Sequence, residues 1–478
     1  MPMVMENFRR YLGFSSEKVR LRRFVCTIIT NHIRMTTQIH LSEIYKSFDS
    51  NMQALYKLHT AIQDSLGQDE WRAIGEYYQE VYSLFEGYDT TEVQMILQRL
   101  IQIDIEDETL NYKKVWEAIN IGPNDILRLE NDREVFIKEV QEELKEFAKL
   151  YPEKANKFFR AYLKTQREEP LKSELSRHGL LLSAASQFEF LLLHLLRVYF
   201  VHYEQDLKLS ATFTIEELDE EISQRVGKKL KNFSTFDKLD FIVTKFALDN
   251  SFSRNDLKEI FERRNVFAHR SGRADTIYVQ YNKRVKIGDR LRISQNYIKF
   301  AIEYLHLSGL IICTKVWENL DADQKDLGKA VSTTAMQLIR AEQYSFCATI
   351  CEQIQTNIQF RSHNSKDILM INYAICMDKL GKEKQKLKAL GGIRQSPRES
   401  VRGMEKLSNQ EPFLYVIPMA VNALTGKKQY AMDLLERAAD ANQVTFLDLD
   451  YWIIFDYLAD EPRFQRIREK LEAKVKIV

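Results

Sequence analysis

An all-α fold is what the sequence predicts, and three observations predict it. The 478 residues include only 16 Gly and 8 Pro, too few turn residues for a sheet-rich chain of this length. Long stretches are rich in Leu, Glu, Lys, Gln and Ala, the strong helix formers. Apolar positions in them recur at three and four residues, the spacing of one helix face. A chain this long exceeds a single core, and its breaks divide it into residues 1–168, 169–320 and 321–478.

The N-terminal region, 1–168, carries helical periodicity in EWRAIGEYYQEVYSLFEGY, TEVQMILQRLIQI and REVFIKEVQEELKEFAKLY. It has no chemical motif, and charge runs such as QEELKE read as solvated helix faces. Pro170, in KTQREEPLKSE, marks a break because proline disfavours helix at the residue before it.

Four helices are predicted in residues 169–320. The first is apolar, from about Leu171 to Tyr203. The second is FDKLDFIVTKFAL. The third begins at SRNDLKEIFERRN, where Ser253 and Asp256 have the spacing of a capping box. The fourth is SQNYIKFAIEYLHLSGLIICTKVWENL. The basic run RVGKKLKNF falls between the first two helices. Its Arg225, Lys228, Lys229 and Lys231 form either an exposed loop or a phosphate track with Phe233 or Phe236 available to stack on bases.

Residues 321–478 change character, becoming short amphipathic helices paired across tight turns. Ala374 precedes Gly381 by seven residues and Ala420 precedes Gly426 by six. The small residue permits close helix approach, and the glycine ends the helix. These pairs resemble degenerate tetratricopeptide (TPR-like) repeats, with YWIIFDYLADEPRFQRIREKL as the last pair. A protein partner or regulator on these repeats is the corresponding expectation.

Composition narrows the function classes. Apolar content of 45% with 29% charged residues describes a soluble globular chain. The net charge of +1 exerts no global pull on nucleic acid or membrane, so any basic site must be local. The five cysteines (Cys26, Cys313, Cys347, Cys351, Cys376) form no CxxC pair. Cys347 and Cys351 share a helix face and read as small core residues, as expected of a reduced, cytoplasmic protein.

The run FVCTIIT is too short for a signal sequence. GLLLSAASQFEFLLLHLL contains Glu189 and His194, so it reads as a buried helix and no membrane span is expected. No P-loop, G-x-S-x-G or H-E-x-x-H pattern appears, so NTPase, serine-hydrolase and zincin chemistry have no motif to rest on, and no cofactor or metal is expected.

The stretch FERRNVFAHRSG, from Phe261 to Gly272, is unusual for a helix end. Leu257, Ile260, Phe261, Arg264 and Ala268 fall at three- and four-residue intervals, so Arg264 continues an apolar stripe. Arginine keeps its charge in a protein and there requires a partner or an aqueous cleft. Asn265 and His269 lie about 40° apart on an ideal helix, and Arg264 and His269 about 140° apart. The three therefore converge only in a cleft that wraps the helix end.

Such a set suits RNA cleavage, in which the ribose 2′-OH attacks the adjacent phosphorus. Histidine can act as base or acid near neutrality. A guanidinium can bind the phosphate and stabilise its added charge. Asparagine can hold the ring or a phosphate oxygen.

Arg264-Asn265-Val266-Phe267-Ala268-His269 matches R-N-x-x-x-H, and the region resembles HEPN domains over about residues 170–320. The setting agrees: four helices, the motif late in the third, and a charged loop after it. Glu189 resembles the acid found in the first long helix of that family; equally, it is a buried acid paired with Arg264. The resemblance implies a metal-independent endoribonuclease that works as a homodimer, with Arg264, Asn265, His269 and Glu189 in its site. Family members recur as toxins and as effectors of antiviral defence.

Ser271 stands where a toxin variant of the motif has tyrosine, and no nucleotidyltransferase motif accompanies it. Arg263 and Arg270 read as solvated neighbours, with attraction for RNA as a secondary role. A non-catalytic binding or dimerisation platform is the alternative, and Arg264 and His269 would then serve a structural or sensing role. His194 and His306 read as packed helix residues.

Overall fold

A computed structural model describes residues 41–62, 149, 172–202, 224–248, 252–320 except Arg284, 325–360, 362–393 and 413–476. Every regular element among them is helical, so the all-α expectation holds. Apart from Lys149, the three N-terminal segments read as helices, and the break at Pro170, lie outside the described residues.

Helix α1 comprises residues 41–62. The central unit contains α2 (Lys172–His202), α3 (224–230), α4 (Thr235–Phe246), α5 (Arg254–His269), α6 (Tyr278–Tyr281) and α7 (Gln295–Leu320). The four predicted helices correspond to α2, α4, α5 and α7. Their starts follow from local chemistry. At α4, Ser234 Oγ accepts from Asp237 N at 3.1 Å while Ser234 N donates to Asp237 Oδ2 at 2.8 Å, a complete capping box.

At α5 only half of the predicted box forms. Ser253 Oγ accepts from Asp256 N at 3.4 Å, but Ser253 N donates to Tyr304 Oη at 2.8 Å instead.

The long axis of the unit is α2 packed along α7, with α4 and α5 against α2. Leu181, Phe188, Leu192 and Leu196 of α2 are buried in this core. α2 is also long and apolar enough to cross a membrane by length and composition. In this fold half of that stretch is buried inside the protein, and Leu175, Phe190 and Leu193 remain exposed.

α7 has apolar residues on nearly every side, and other helices of the same chain cover them. α8 (Lys325–Arg340) and α9 (Tyr344–Asn357) pack on it. α1 closes another side, where Gly309 leaves the space that the Phe48 ring fills; a methyl group there would collide with the ring. A buried polar chain fixes this junction. His306 Nε2 lies 2.8 Å from Asp49 Oδ1, Thr334 Oγ1 donates to Asp49 Oδ2 at 2.7 Å, and Tyr45 Oη lies 3.0 Å from Thr334 Oγ1. His306 is therefore a packed helix residue, as expected. His194 is exposed, contrary to expectation, because it lies on the open face of α2.

His59, near the end of α1, is 4% exposed. Burial, aided by the positive charges of Lys299 and Arg177, lowers its pKa from 6.5 to about 4. The unfolded chain takes up this proton first, so stability is present above the unfolded pKa and falls as pH drops toward 4. At pH 5 this group alone should cost about 2 kcal/mol relative to pH 7.5. Urea denaturation at the two pH values checks this, and His59→Leu should remove that part of the dependence. A variant with the same pH slope as wild type would refute it.

The C-terminal helices form hairpins: α8 with α9, α10 (His363–Lys379) with α11 (Glu383–Leu390), and α12 (Val416–Leu424) with α13 (Lys428–Asp440). Their turns share one geometry. Glu342, Gly381 and Gly426 adopt φ of 57°, 70° and 78°. The next N–H reaches back five residues: Gln343 to Leu338 O at 2.9 Å, Lys382 to Met377 O at 2.8 Å and Lys427 to Asn422 O at 2.9 Å. This is the Schellman closure that favours glycine; Glu342 adopts it at a steric cost that the two glycines avoid.

Ala374 and Ala420 are fully buried, as close helix packing requires. Cys347, Cys351 and Cys376 are fully buried core residues, and burial pushes the thiols of Cys347 and Cys376 up. The last pair differs from expectation. Thr445 caps a short α14 (Phe446–Tyr451), and Ile453–Tyr457 is a 3-10 turn before α15 (Pro462–Lys476). One apolar core runs continuously from Leu41 to Leu471, shared by helices on both sides of residue 320.

Candidate active site

The motif lies in the last turns of α5, and its apolar residues set its orientation. Val266 is fully buried in a small cluster with Ala274, Tyr278 and Leu291. Phe267 stacks on His178 of α2 with ring centroids 4.0 Å apart. With these two turned inward, Arg264, Asn265, Ala268 and His269 lie on the opposite side of the helix, where Asn265 and His269 are about 40° apart and Arg264 and His269 about 140°. The predicted stripe is corrected here: Leu257, Ile260 and Phe261 are buried, but Ala268 is exposed.

Arg264 meets the partner that its half-buried position demands. Its Nη2 lies 3.3 Å from Glu189 Oε2, and its Nη1 donates to Asn265 Oδ1 at 3.0 Å. Its Nε is buried and has no hydrogen-bond partner among the described residues. Glu189 also accepts from Thr235 Oγ1 at 2.7 Å, which joins the start of α4 to the site. Three elements, α2, α4 and α5, thus converge on one carboxylate–guanidinium pair.

His269 is the last residue of α5 and is exposed. Its side chain makes no hydrogen bond to another described residue, and Asn265 holds the guanidinium rather than the ring. Beyond it, Ser271 and Gly272 adopt φ of 52° and 74°, reversing the chain.

The predicted RNA-binding residues separate into three situations. Arg263 is not solvated. Its side chain is 16% exposed, its Nε donates to Glu259 Oε1 at 2.8 Å, and its guanidinium lies 3.8 Å over the Tyr297 ring. Arg270 is ion-paired with Asp275 at 3.1 Å. Lys228, Lys229 and Lys231 are exposed, but Lys228 and Lys229 sit on helix α3 rather than in a loop. Lys229 Nζ lies 4.3 Å over the Phe200 ring. Phe233 and Phe236 are partly buried against the core, where Phe236 meets Phe261 at 5.6 Å, so neither is free to stack on a base.

The sequence reading missed the buried cluster around Glu259. This carboxylate is 4% exposed. It accepts from Tyr278 Oη at 2.8 Å, Tyr297 Oη at 2.6 Å and Arg263 Nε at 2.8 Å. Arg263 Nη1 also donates to Arg292 O at 3.2 Å. Burial and the adjacent Glu259 raise the Tyr297 hydroxyl well above its ordinary pKa. Burial opposes the charge of Arg263, but Glu259 beside it holds the guanidinium protonated. The cluster fastens the segment after the motif to α5 and α7.

No family model, curated protein or solved structure matches the chain.

Proposed function

We propose that the chain is a metal-independent endoribonuclease of the HEPN type, acting as a toxin or as an effector of antiviral defence. The observation that carries the reading is the arrangement at the end of α5. There Arg264 is held by Glu189 and Asn265, and His269, one helical turn after Asn265, is exposed. In this mechanism the RNA 2′-oxygen attacks phosphorus and the bond to the 5′-oxygen breaks. His269 takes the 2′-proton or returns one to the leaving oxygen. Arg264 offers guanidinium N–H groups to the non-bridging oxygens as negative charge grows. Glu189 acts as a positioning residue, through Arg264.

One His269 cannot act on both sides of one phosphate, so the proposed active unit is a two-fold homodimer. The exposed Phe190 and Leu193, on the helix of Glu189, supply an apolar surface for that contact. The fourth helix, α7, is covered within the chain by α1, α8 and α9. The same open face favours a second reading, a non-catalytic platform that binds a partner through α2.

Incubation of the full chain with total RNA and with tRNA tests the catalytic reading. Cleavage should survive EDTA and leave 2′,3′-cyclic phosphate and 5′-hydroxyl ends. Products ending in 5′-phosphate, or activity abolished by chelation, would rule out this chemistry.

A further inference from the structure

Immediately after the motif, residues 270–294, described except for Arg284, form a small ribbon of which the predicted site included Arg270 alone. Its sequence holds seven Lys and Arg against two Asp. The ribbon is ordered by its own apolar cluster and by Tyr278 bonded to Glu259. Ala274 N donates to Asp289 O at 2.9 Å and Leu291 N donates to Gly272 O at 2.8 Å. These two bonds make Arg273 and Arg290 antiparallel bridge partners. They are a non-hydrogen-bonded pair, the arrangement that brings opposite side chains closest.

Both arginines are exposed, and neither has a carboxylate at ion-pair distance among the described residues. Arg273 Nη1 donates only to Gly288 O, at 3.1 Å. Like charges directly opposite one another on a ladder are destabilising, and an anion between them relieves that cost. Lys283 and Lys286 are exposed on the same ribbon, and apolar and aromatic surface lies among the cations: Ile277 is 42% exposed, Tyr281 37% and Ile287 64%. Interleaved cations and an exposed ring are what a single strand of nucleic acid requires. Phosphates take the charge, and bases stack on the ring.

We propose that this ribbon, built around the Arg273–Arg290 pair, is the surface that binds single-stranded RNA and feeds it to His269. The inference rests on the ribonuclease reading for the identity of the polyanion. Three residues of chain lie between His269 and Arg273, so Arg273 lies within roughly 14 Å of the motif, with Arg290 opposite it. That is a span of two or three nucleotides. Arg270, paired with Asp275, and Arg263, buried on Tyr297, are unavailable for this task in the same way. The ribbon therefore takes the place of the basic neighbours expected from sequence.

The experiment measures fluorescence anisotropy of a labelled 12-nucleotide oligouridine with the full chain carrying His269→Ala, so that bound RNA is not cut. Adding Arg273→Gln and Arg290→Gln should weaken binding about tenfold or more. It should also lower the salt slope of log K by about 1.4, the share of two phosphate contacts on a single strand. Arg273→Lys with Arg290→Lys should retain the slope, which separates lost charge from misfolding. Tyr281→Ala should weaken binding about fivefold or more through lost stacking.

Unchanged affinity and slope in the glutamine variant would overturn the proposal. So would a loss confined to Lys228→Gln, Lys229→Gln and Lys231→Gln. Displacement of the oligouridine by poly-glutamate as readily as by unlabelled RNA would assign the ribbon to acidic protein and overturn it as well. Wild-type cleavage, measured alongside, separates the two readings. RNA held by the ribbon but never cut removes the catalytic reading and leaves the surface. RNA cut while binding ignores Arg273 and Arg290 does the reverse.

Discussion

His269→Ala should lower RNA cleavage by about 10²–10⁴-fold, the usual contribution of a positioned acid or base, while the fold stays intact. The side chain is exposed at the last position of α5 and makes no hydrogen bond to another described residue. Its removal therefore opens no cavity and strands no buried polar group. The change is read by gel assay of RNA turnover at equal protein concentration, with a thermal melt as the folding control. In a bacterial host, wild type should slow growth and the variant should not. Equal cleavage or equal toxicity at equal soluble levels would sink the catalytic assignment.

Arg264 gives a less clean test, because its loss deprives Glu189 of its cation. It is best used in combination. Mixing His269→Ala protomers with Arg264→Ala protomers should restore part of the activity if two copies build one site. No recovery from the mixture, together with an undiminished specific rate when wild type is diluted to a monomer, would remove the shared-site idea.

The helices of the central unit were legible because their signals are local. The cap at Ser253, and apolar spacing along α2, α4, α5 and α7, mark their extents closely; the cap at Ser234 came from the structure. The Glu189–Arg264 pair was legible for a related reason. A lone acid in the run FEFLLLHLL and a lone arginine in an apolar stripe each demand a partner. What stayed hidden is non-local. Glu259 and Arg263 stand four apart on one helix, and by spacing alone they read as an ordinary surface pair. Their burial is produced by Tyr278 and Tyr297, 19 and 38 residues from Glu259. No rule of periodicity connects those positions.

The Arg273–Arg290 pairing was hidden likewise, since it depends on a register that only the folded ribbon defines. The covering of α7 was hidden for the same reason. Its partner surface is α1, more than 200 residues earlier in the chain, admitted at Gly309.

The largest effect on stability should come from Glu259→Ala, at about 3–5 kcal/mol, the usual cost of leaving a buried charge without its partner. Arg263 would keep its charge while losing the carboxylate 2.8 Å away. Tyr278 and Tyr297 would each lose the acceptor of a buried hydroxyl. Stacking on Tyr297 at 3.8 Å and the bond to Arg292 O would remain, so the loss should stop short of complete unfolding. The sharper test is the pair. Glu259→Leu with Arg263→Met removes both charges, replaces them with apolar volume, and should be more stable than Glu259→Ala alone.

Urea denaturation of wild type, Glu259→Ala and the double variant measures this, and Glu259→Leu and Arg263→Met alone complete the double-mutant cycle. The consequence extends to function, because the same carboxylate fastens residues 270–294 beside the motif. Glu259→Ala should therefore weaken oligouridine binding at temperatures well below its unfolding transition. A Glu259→Ala protein within 1 kcal/mol of wild type would show that the tyrosines and solvent compensate for the carboxylate, and the cluster would lose its assigned role as the anchor of the ribbon.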